Sequence, residues 1–157
     1  MVSGDVATGL SLSQAAGWNQ TASDWQLFLK YGSSGCWVAV DDGGQVRGTV
    51  ATITYEDRFA WIGMVLVDQL FQRRGIGFEL MRRAIESLGD HIAVKLDATP
   101  AGRAVYVRLG FNDEYQISRM EASRIDADKL VTGEVRKLQS DDMDLVGKYD
   151  RKVFGAS

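Results

Sequence analysis

Two glycines two residues apart, behind a pair of arginines, carry the plainest chemistry in this sequence: Gln72-Arg73-Arg74-Gly75-Ile76-Gly77. Glycine leaves no side chain where a ligand must come up against the backbone. The apolar run over residues 59–67 leads into this stretch and a helical pattern leads out of it. Gly75 and Gly77 therefore fall at a helix N-terminus, where unpaired N–H groups and the positive end of the helix dipole bind anions. Arg73 and Arg74 add charge beside it. Such a combination suits a pyrophosphate. Two familiar phosphate loops are excluded: no Lys-Ser/Thr pair follows the glycines, and the three-glycine spacing of the dinucleotide fingerprint is missing.

The elements that must position this loop read as follows. Ser3 can cap a helix over residues 4–16, with Val6, Leu10, Leu12 and Ala16 toward one face and Gly17 as its stop. Thr21 or Ser23 caps a second helix, from which Trp25, Phe28 and Leu29 pack inward. Residues 36–40, 46–55 and 59–67 read as three strands of an antiparallel meander, the first two joined by the turn Asp41-Asp42-Gly43-Gly44. The period then changes to 3.6: Ile76, Leu80, Ala84, Ile85 and Leu88 line one helix face, and Glu79, Arg82, Arg83 and Glu86 the other. A strand is expected over 92–96, a short helix opened by Pro100 and closed by Gly110, and a further strand over 114–120.

The chain of 157 residues has the length of one ordinary domain. Its 18 Lys+Arg against 21 Asp+Glu give a charge of −3, which argues against nucleic-acid or anionic-membrane partners. Single copies of histidine (His91) and cysteine (Cys36) argue against a metal site, a Ser-His-Asp triad and a disulfide framework. No apolar run approaches a membrane span, and the first residues lack a secretory signal, so a cytoplasmic α/β protein is expected.

At this point the sequence resembles the GNAT family of N-acetyltransferases. Gln72-Arg73-Arg74-Gly75-Ile76-Gly77 matches the family's Q/R-x-x-G-x-G/A signature, and Tyr106-Val107-Arg108-Leu109-Gly110-Phe111 its Y-x-x-x-G-F segment. The order of elements agrees over residues 4–120. The chain is also similar to the first half of tandem-GNAT bacterial acetyltransferases, through Ala16-Gly17-Trp18-Asn19-Gln20, Trp61-Ile62-Gly63-Met64-Val65 and Leu96-Asp97-Ala98-Thr99-Pro100-Ala101-Gly102. The implied fold is a mixed, mostly antiparallel twisted sheet flanked by helices, splayed between the strands before and after the signature helix. Two departures stand out. Thr99 occupies the position of a common cofactor-contacting asparagine, and no strand precedes the first helix.

What the resemblance implies is acetyl-CoA as co-substrate, with no metal. Its pantetheine arm would pair like an added strand along Val65, Leu66 and Val67, and its pyrophosphate would sit over Gln72, Arg73, Arg74, Gly75, Ile76, Gly77 and Phe78. The expected reaction is direct attack by a primary amine of a small molecule or peptide. A backbone N–H near Leu66 or Val67 would polarise the thioester carbonyl, and Tyr106 would protonate the departing thiolate. Asp97, Glu56 or a water chain could serve as base. A non-catalytic acyl-CoA-binding or regulatory module is the alternative. Cys36 reads as a buried small hydrophobe, and the four tryptophans as mainly core.

The domain organisation expected is 1–121 as the acetyl-CoA-binding domain, 122–134 as a linker, and 135–157 as a strand–helix segment similar to the start of a second GNAT repeat. A strand over 135–138 could cover an open sheet edge of this domain or of a partner chain, which leaves a homodimer open.

Overall fold

A computed structural model describes residues 1–32, 34–124 and 135–156. They fall into two compact units divided after Gly110, earlier than the composition change near residue 121. The first unit is built on a four-stranded sheet in the order β1 (Trp37–Val40), β2 (Val46–Tyr55), β3 (Phe59–Val67), β4 (Ala93–Lys95). The first three strands form the expected antiparallel meander, and β4 runs parallel to β3. A parallel neighbour needs a crossover, here the helix α3 (Ile76–Leu88). The fold is thus the expected mixed, mostly antiparallel sheet flanked by helices.

Helices cover both faces of the sheet. A Cβ added at Gly48 would come within 3.0 Å of Leu80 and 3.3 Å of Ile76, so α3 lies on that face. One added at Gly63 would stand 3.9 Å from Phe28, which places α2 (Ala22–Tyr31) on the other. The inner face of α3 buries Leu80, Met81 and Ala84, as its period requires. On its outer face Glu79 accepts from Arg82 Nε at 2.9 Å and Arg83 Nε at 3.0 Å. Arg82 first, then Arg83, draw the Glu79 carboxyl down to about 2. This contribution is complete above the usual carboxylate range and is lost as pH falls toward 2. Being fully exposed, it adds little to stability.

The first helix differs from expectation. α1 spans Val6–Ala15 behind a 3-10 turn at Ser3–Asp5, and Asp5 rather than Ser3 closes its start, accepting from Val2 N at 2.7 Å. Its buried residues are Gly9 and Ser13, not the row of larger apolar side chains. The reason is Trp25, which is wholly buried: a Cβ on Gly9 would stand 3.1 Å from its indole, so only small residues let the helix backbone lie there. Thr21 is the cap of α2, in a capping box with Asp24 (Thr21 N to Asp24 Oδ2 2.7 Å; Asp24 N to Thr21 Oγ1 3.4 Å). The helix α4 (Pro100–Arg108) is capped by Thr99, whose Oγ1 accepts from Gly102 N at 3.2 Å. Cys36 is buried, as expected, with its thiol pushed up by burial.

Two expected strands do not form. Residues 114–120 carry no strand, and Tyr115, Ile117 and Met120 are exposed. Residues 135–138 likewise carry none, with Val135 and Leu138 exposed. Alternation states which face a strand would bury, but the strand exists only where a neighbour completes its ladder. Arg136 instead folds onto Asp142, both Nη atoms donating at 2.6 Å, beside a 3-10 turn at Ser140–Asp142 that opens α5 (Met143–Phe154). Most of the expected linker, residues 125–134, lies outside the described residues. Among those described, no helix is long and apolar enough to cross a membrane.

The join between α2 and β1 sets a sharp steric test. A Cβ on Gly32 would fall 1.7 Å from the Thr52 carbonyl oxygen, whereas one on Gly4 meets nothing within 4 Å. In urea titrations, Gly32→Ala is expected to cost more than about 3 kcal/mol and Gly4→Ala to stay within about 0.5 kcal/mol.

Candidate functional site

The site begins where β3 leaves its neighbours. Pairing of β3 with β4 covers only Phe59, Ala60 and Trp61. On its other side the register with β2 slips: Thr49 faces Leu66 while Ala51 faces Gly63, so β3 carries one extra residue. That bulge centres on Met64, which has φ +53°, and Thr49 Oγ1 donates to the Met64 carbonyl at 2.8 Å. A bulge turns a strand and re-aims its side chains. Val65, Leu66 and Val67 therefore lie beyond the last β3–β4 pair, along an edge that β4 does not cover.

The chain then enters the loop read from the sequence. Asp68 closes a 3-10 turn at Gln69–Phe71 by accepting from Leu70 N at 3.0 Å. Gln72 Nε2 donates to the Val67 carbonyl at 3.1 Å, tying the loop back to the end of β3. Arg73 has φ +60° and Gly75 φ +83°. Left-handed residues alternating with ordinary ones turn successive N–H groups to one side, the geometry of an anion-binding nest. For Arg73 that conformation costs about 1 kcal/mol, a strain of the kind that gathers at functional sites. Behind Gly75 the first N–H groups of α3 have no intrahelical partner.

The charges at this loop are unevenly balanced. Among the described residues neither Arg73 nor Arg74 has a carboxylate partner; Arg74 Nη2 donates only to the Leu70 carbonyl, at 3.0 Å. Arg74, Ile76, Leu80 and Arg83 form one wall of a cavity of about 380 Å³, with Trp37 and Ala39 of β1 opposite. Trp37, expected in the core, is a wall of this cavity and is part-exposed because β1 is the last strand of the sheet.

Tyr106 sits half-buried on α4, its ring so close over Gly102 that a Cβ there would stand 3.0 Å away. Burial pushes its phenol above the ordinary value, so it stays protonated at neutral pH. Its helix is linked to the start of α3 by Arg108, whose guanidinium carbon lies 5.3 Å from the Phe78 ring centroid. The two carboxylates considered as bases are not brought together. Glu56 lies in the β2–β3 turn with φ +50°, at the far end of β3 from the loop, roughly 26 Å along a strand of nine residues. Asp97 follows β4 and is exposed. Sequence reading missed the bulge at Met64, Arg47, Phe71 and the capping role of Asp68. Gly63 beside the bulge is the one faint signal.

A mixed, mostly antiparallel sheet that splays where β3 runs on into a glycine-opened helix defines the class of α/β fold to which this chain belongs. Residues 10–111, well over half of the chain, match the Acetyltransferase (GNAT) family, and the chain belongs to that family. It is 25% identical over 99 residues to the uncharacterized N-acetyltransferase YitH of Bacillus subtilis, covering 62% of this chain and 35% of that protein. A crystal structure of a candidate acetyltransferase from Pyrococcus horikoshii matches with TM-score 0.72 and 26% identity, over 100% of this chain and 56% of that one. Rv2747 from Mycobacterium tuberculosis, solved in complex with CoA, shares the fold with TM-score 0.60 at 18% identity, over 81% of this chain and 74% of that one. The chain thus spans about a third of the B. subtilis protein and about half of the P. horikoshii one. The chemistry of the family is acyl-CoA-dependent acetyl transfer.

The two signature glycines answer to different constraints. Gly75 is left-handed, while a Cβ on Gly77 would meet only Val67 Cγ2 at 3.7 Å, an ordinary contact. Alanine should therefore act with opposite sign at the two positions. Chemical denaturation is expected to show Gly75→Ala destabilised by about 1 kcal/mol and Gly77→Ala neutral or stabilised by up to about 1 kcal/mol.

Proposed function

We propose that this chain binds acetyl-CoA and transfers its acetyl group to a primary amine of a small molecule or peptide by direct attack. The observation that carries this reading is the loop itself: two arginines with no carboxylate partner among the described residues, beside a left-handed Gly75 at the start of α3. The residues present fit the donor. Backbone N–H groups from Arg73 to Phe78 and the two guanidiniums supply positive potential, and the space above Gly77 admits a group that a longer side chain would fill. The uncovered edge at Val65, Leu66 and Val67 suits an extended pantetheine arm.

In this reading a backbone N–H near Leu66 or Val67 donates to the thioester carbonyl and stabilises charge as it develops there. Tyr106 keeps its proton at neutral pH and delivers it to the leaving sulfur. The amine must lose a proton, which Asp97 or water would receive; Glu56, at the far end of β3, is too distant from Leu66 and Val67 to take it directly. Gln72 holds the loop against β3, and Thr99 serves α4 as its cap.

Acetyl-CoA at a large excess over its Kd is expected to raise the melting temperature by several degrees, and Gly77→Glu to abolish that shift. Tyr106→Phe should keep the shift while lowering kcat about 100-fold. On the alkaline side the wild-type rate should hold until above pH ~10, and that alkaline limb should vanish in the phenylalanine variant. Free CoA release with a panel of amines is the assay. A thermal shift without release across a broad panel would favour a non-catalytic acyl-CoA-binding module, and no shift at all would overturn both readings.

We further infer that residues 135–157 correspond to the opening of a second repeat. In support, the P. horikoshii relative extends well beyond the part this chain matches. Met143, Val146, Tyr149 and Val153, at helical spacing on α5, are also exposed. Such a face should drive self-association of this chain, read as a concentration-dependent mass in sedimentation equilibrium. A strictly monomeric chain would overturn the inference.

A further inference from the structure

The signature loop leans on a third arginine, which lies outside the signature. Arg47, on β2, donates from Nε to Asp41 Oδ2 at 2.8 Å and from Nη1 to Asp68 Oδ2 at 3.1 Å. Its guanidinium carbon lies 4.6 Å from the centroid of the Phe71 ring, and that of Arg74 lies 4.9 Å from the same centroid. One ring therefore holds two guanidinium groups. Their situations differ: Arg47 is neutralised by two carboxylates, and Arg74 by none among the described residues.

Every part of this assembly is tied down. Asp41 accepts from Gly43 N at 3.0 Å and Gln45 N at 2.9 Å, which fixes it within the β1–β2 turn. Asp68 N donates to the Arg47 carbonyl at 2.8 Å, and Phe71 N to the Asp68 carbonyl at 2.8 Å. The Phe71 ring is thus seated on a cation that is already paired, and its π-system attracts the one that is not. Arg74 would otherwise be a long exposed side chain with many rotamers. Held on Phe71 and by the Leu70 carbonyl, it loses that freedom before any ligand arrives.

We propose that Arg47 and Phe71 are positioning residues: they hold the Arg74 guanidinium beside the start of α3, and so set the affinity for a phosphate-bearing acyl donor without touching it. This rests on the acyl-CoA reading given above. It differs from a merely structural role in one respect. What Phe71 contributes to binding must act through the charge of Arg74, and so must be screened by salt.

The test is calorimetric titration of acetyl-CoA into the wild type, Phe71→Leu and Phe71→Tyr, at about 0.05 M and about 0.5 M salt. Phe71→Leu is expected to bind roughly fivefold more weakly at low salt and to approach the wild type at high salt, whereas Phe71→Tyr, which keeps the ring, should match the wild type at both. An unchanged affinity in Phe71→Leu, or a loss that is the same at both salt concentrations, overturns the proposal alone. A wild type that does not bind acetyl-CoA overturns the acyl-CoA reading and this proposal with it.

Discussion

Everything the site can do depends on β3 parting from β4 after Trp61. A parallel pair held over three residues anchors one end of the wedge. Beyond it, β3 continues for six residues with β2 on one side and, among the described residues, no strand on the other. An uncovered strand edge is normally a liability, because its unpaired backbone groups invite pairing with another chain. Here the bulge at Met64 bends that edge, and the strand ends in a loop that Gln72 ties back to the Val67 carbonyl. The same edge is suited to an extended ligand whose amides can replace the missing strand. The wedge and the loop are consecutive in the chain, so a ligand lying along β3 arrives with its far end at the start of α3.

Electrostatics then separates structural from ligand-facing charge. α3 carries four charged residues on its outer face, and these pair among themselves. Arg47 is paired twice. Arg73 and Arg74 at the loop have no acidic partner among the described residues. In a protein with net charge −3, unneutralised arginines beside a helix N-terminus create a local positive potential that the average composition hides. Under the acyl-CoA reading, two guanidiniums beside a helix start would favour phosphate groups more than the same charges scattered over the surface.

How much of this was legible in the residues follows from how local each signal is. The helix α3, its cap at Gly75 and the meander rest on spacing within a few residues, and they stand as read. Thr21 was one of two possible caps, and Asp24 three residues on decides for it. The strands over 114–120 and 135–138 rest on alternation alone, and alternation does not name a partner. Gly9 and Ser13 look unremarkable in sequence; only the indole of Trp25 against them explains why the small residues, not Leu10 and Leu12, face inward. Met64 could not be foreseen, since a left-handed methionine is held by a ladder slip and a threonine fifteen residues away. Arg47 and Phe71 belong to the same category: their meeting depends on the register of β2 against β3.

The two glycines of the signature show how one short motif can answer two unrelated demands. Gly75 has a backbone that side chains resist, so its constraint is met in the free protein and would remain if the ligand never bound. Gly77 has an ordinary helical backbone and room for a methyl group, so nothing in the free protein requires glycine there. In a helix interior glycine costs up to about 1 kcal/mol relative to alanine. A methyl group added there would meet Val67 Cγ2 alone within 4 Å, so glycine at this position leaves open space at the start of α3. Arg73 shows the converse: its backbone is left-handed like that of Gly75, and for a residue with a side chain that conformation costs about 1 kcal/mol, so the loop carries strain at a position where glycine would have relieved it.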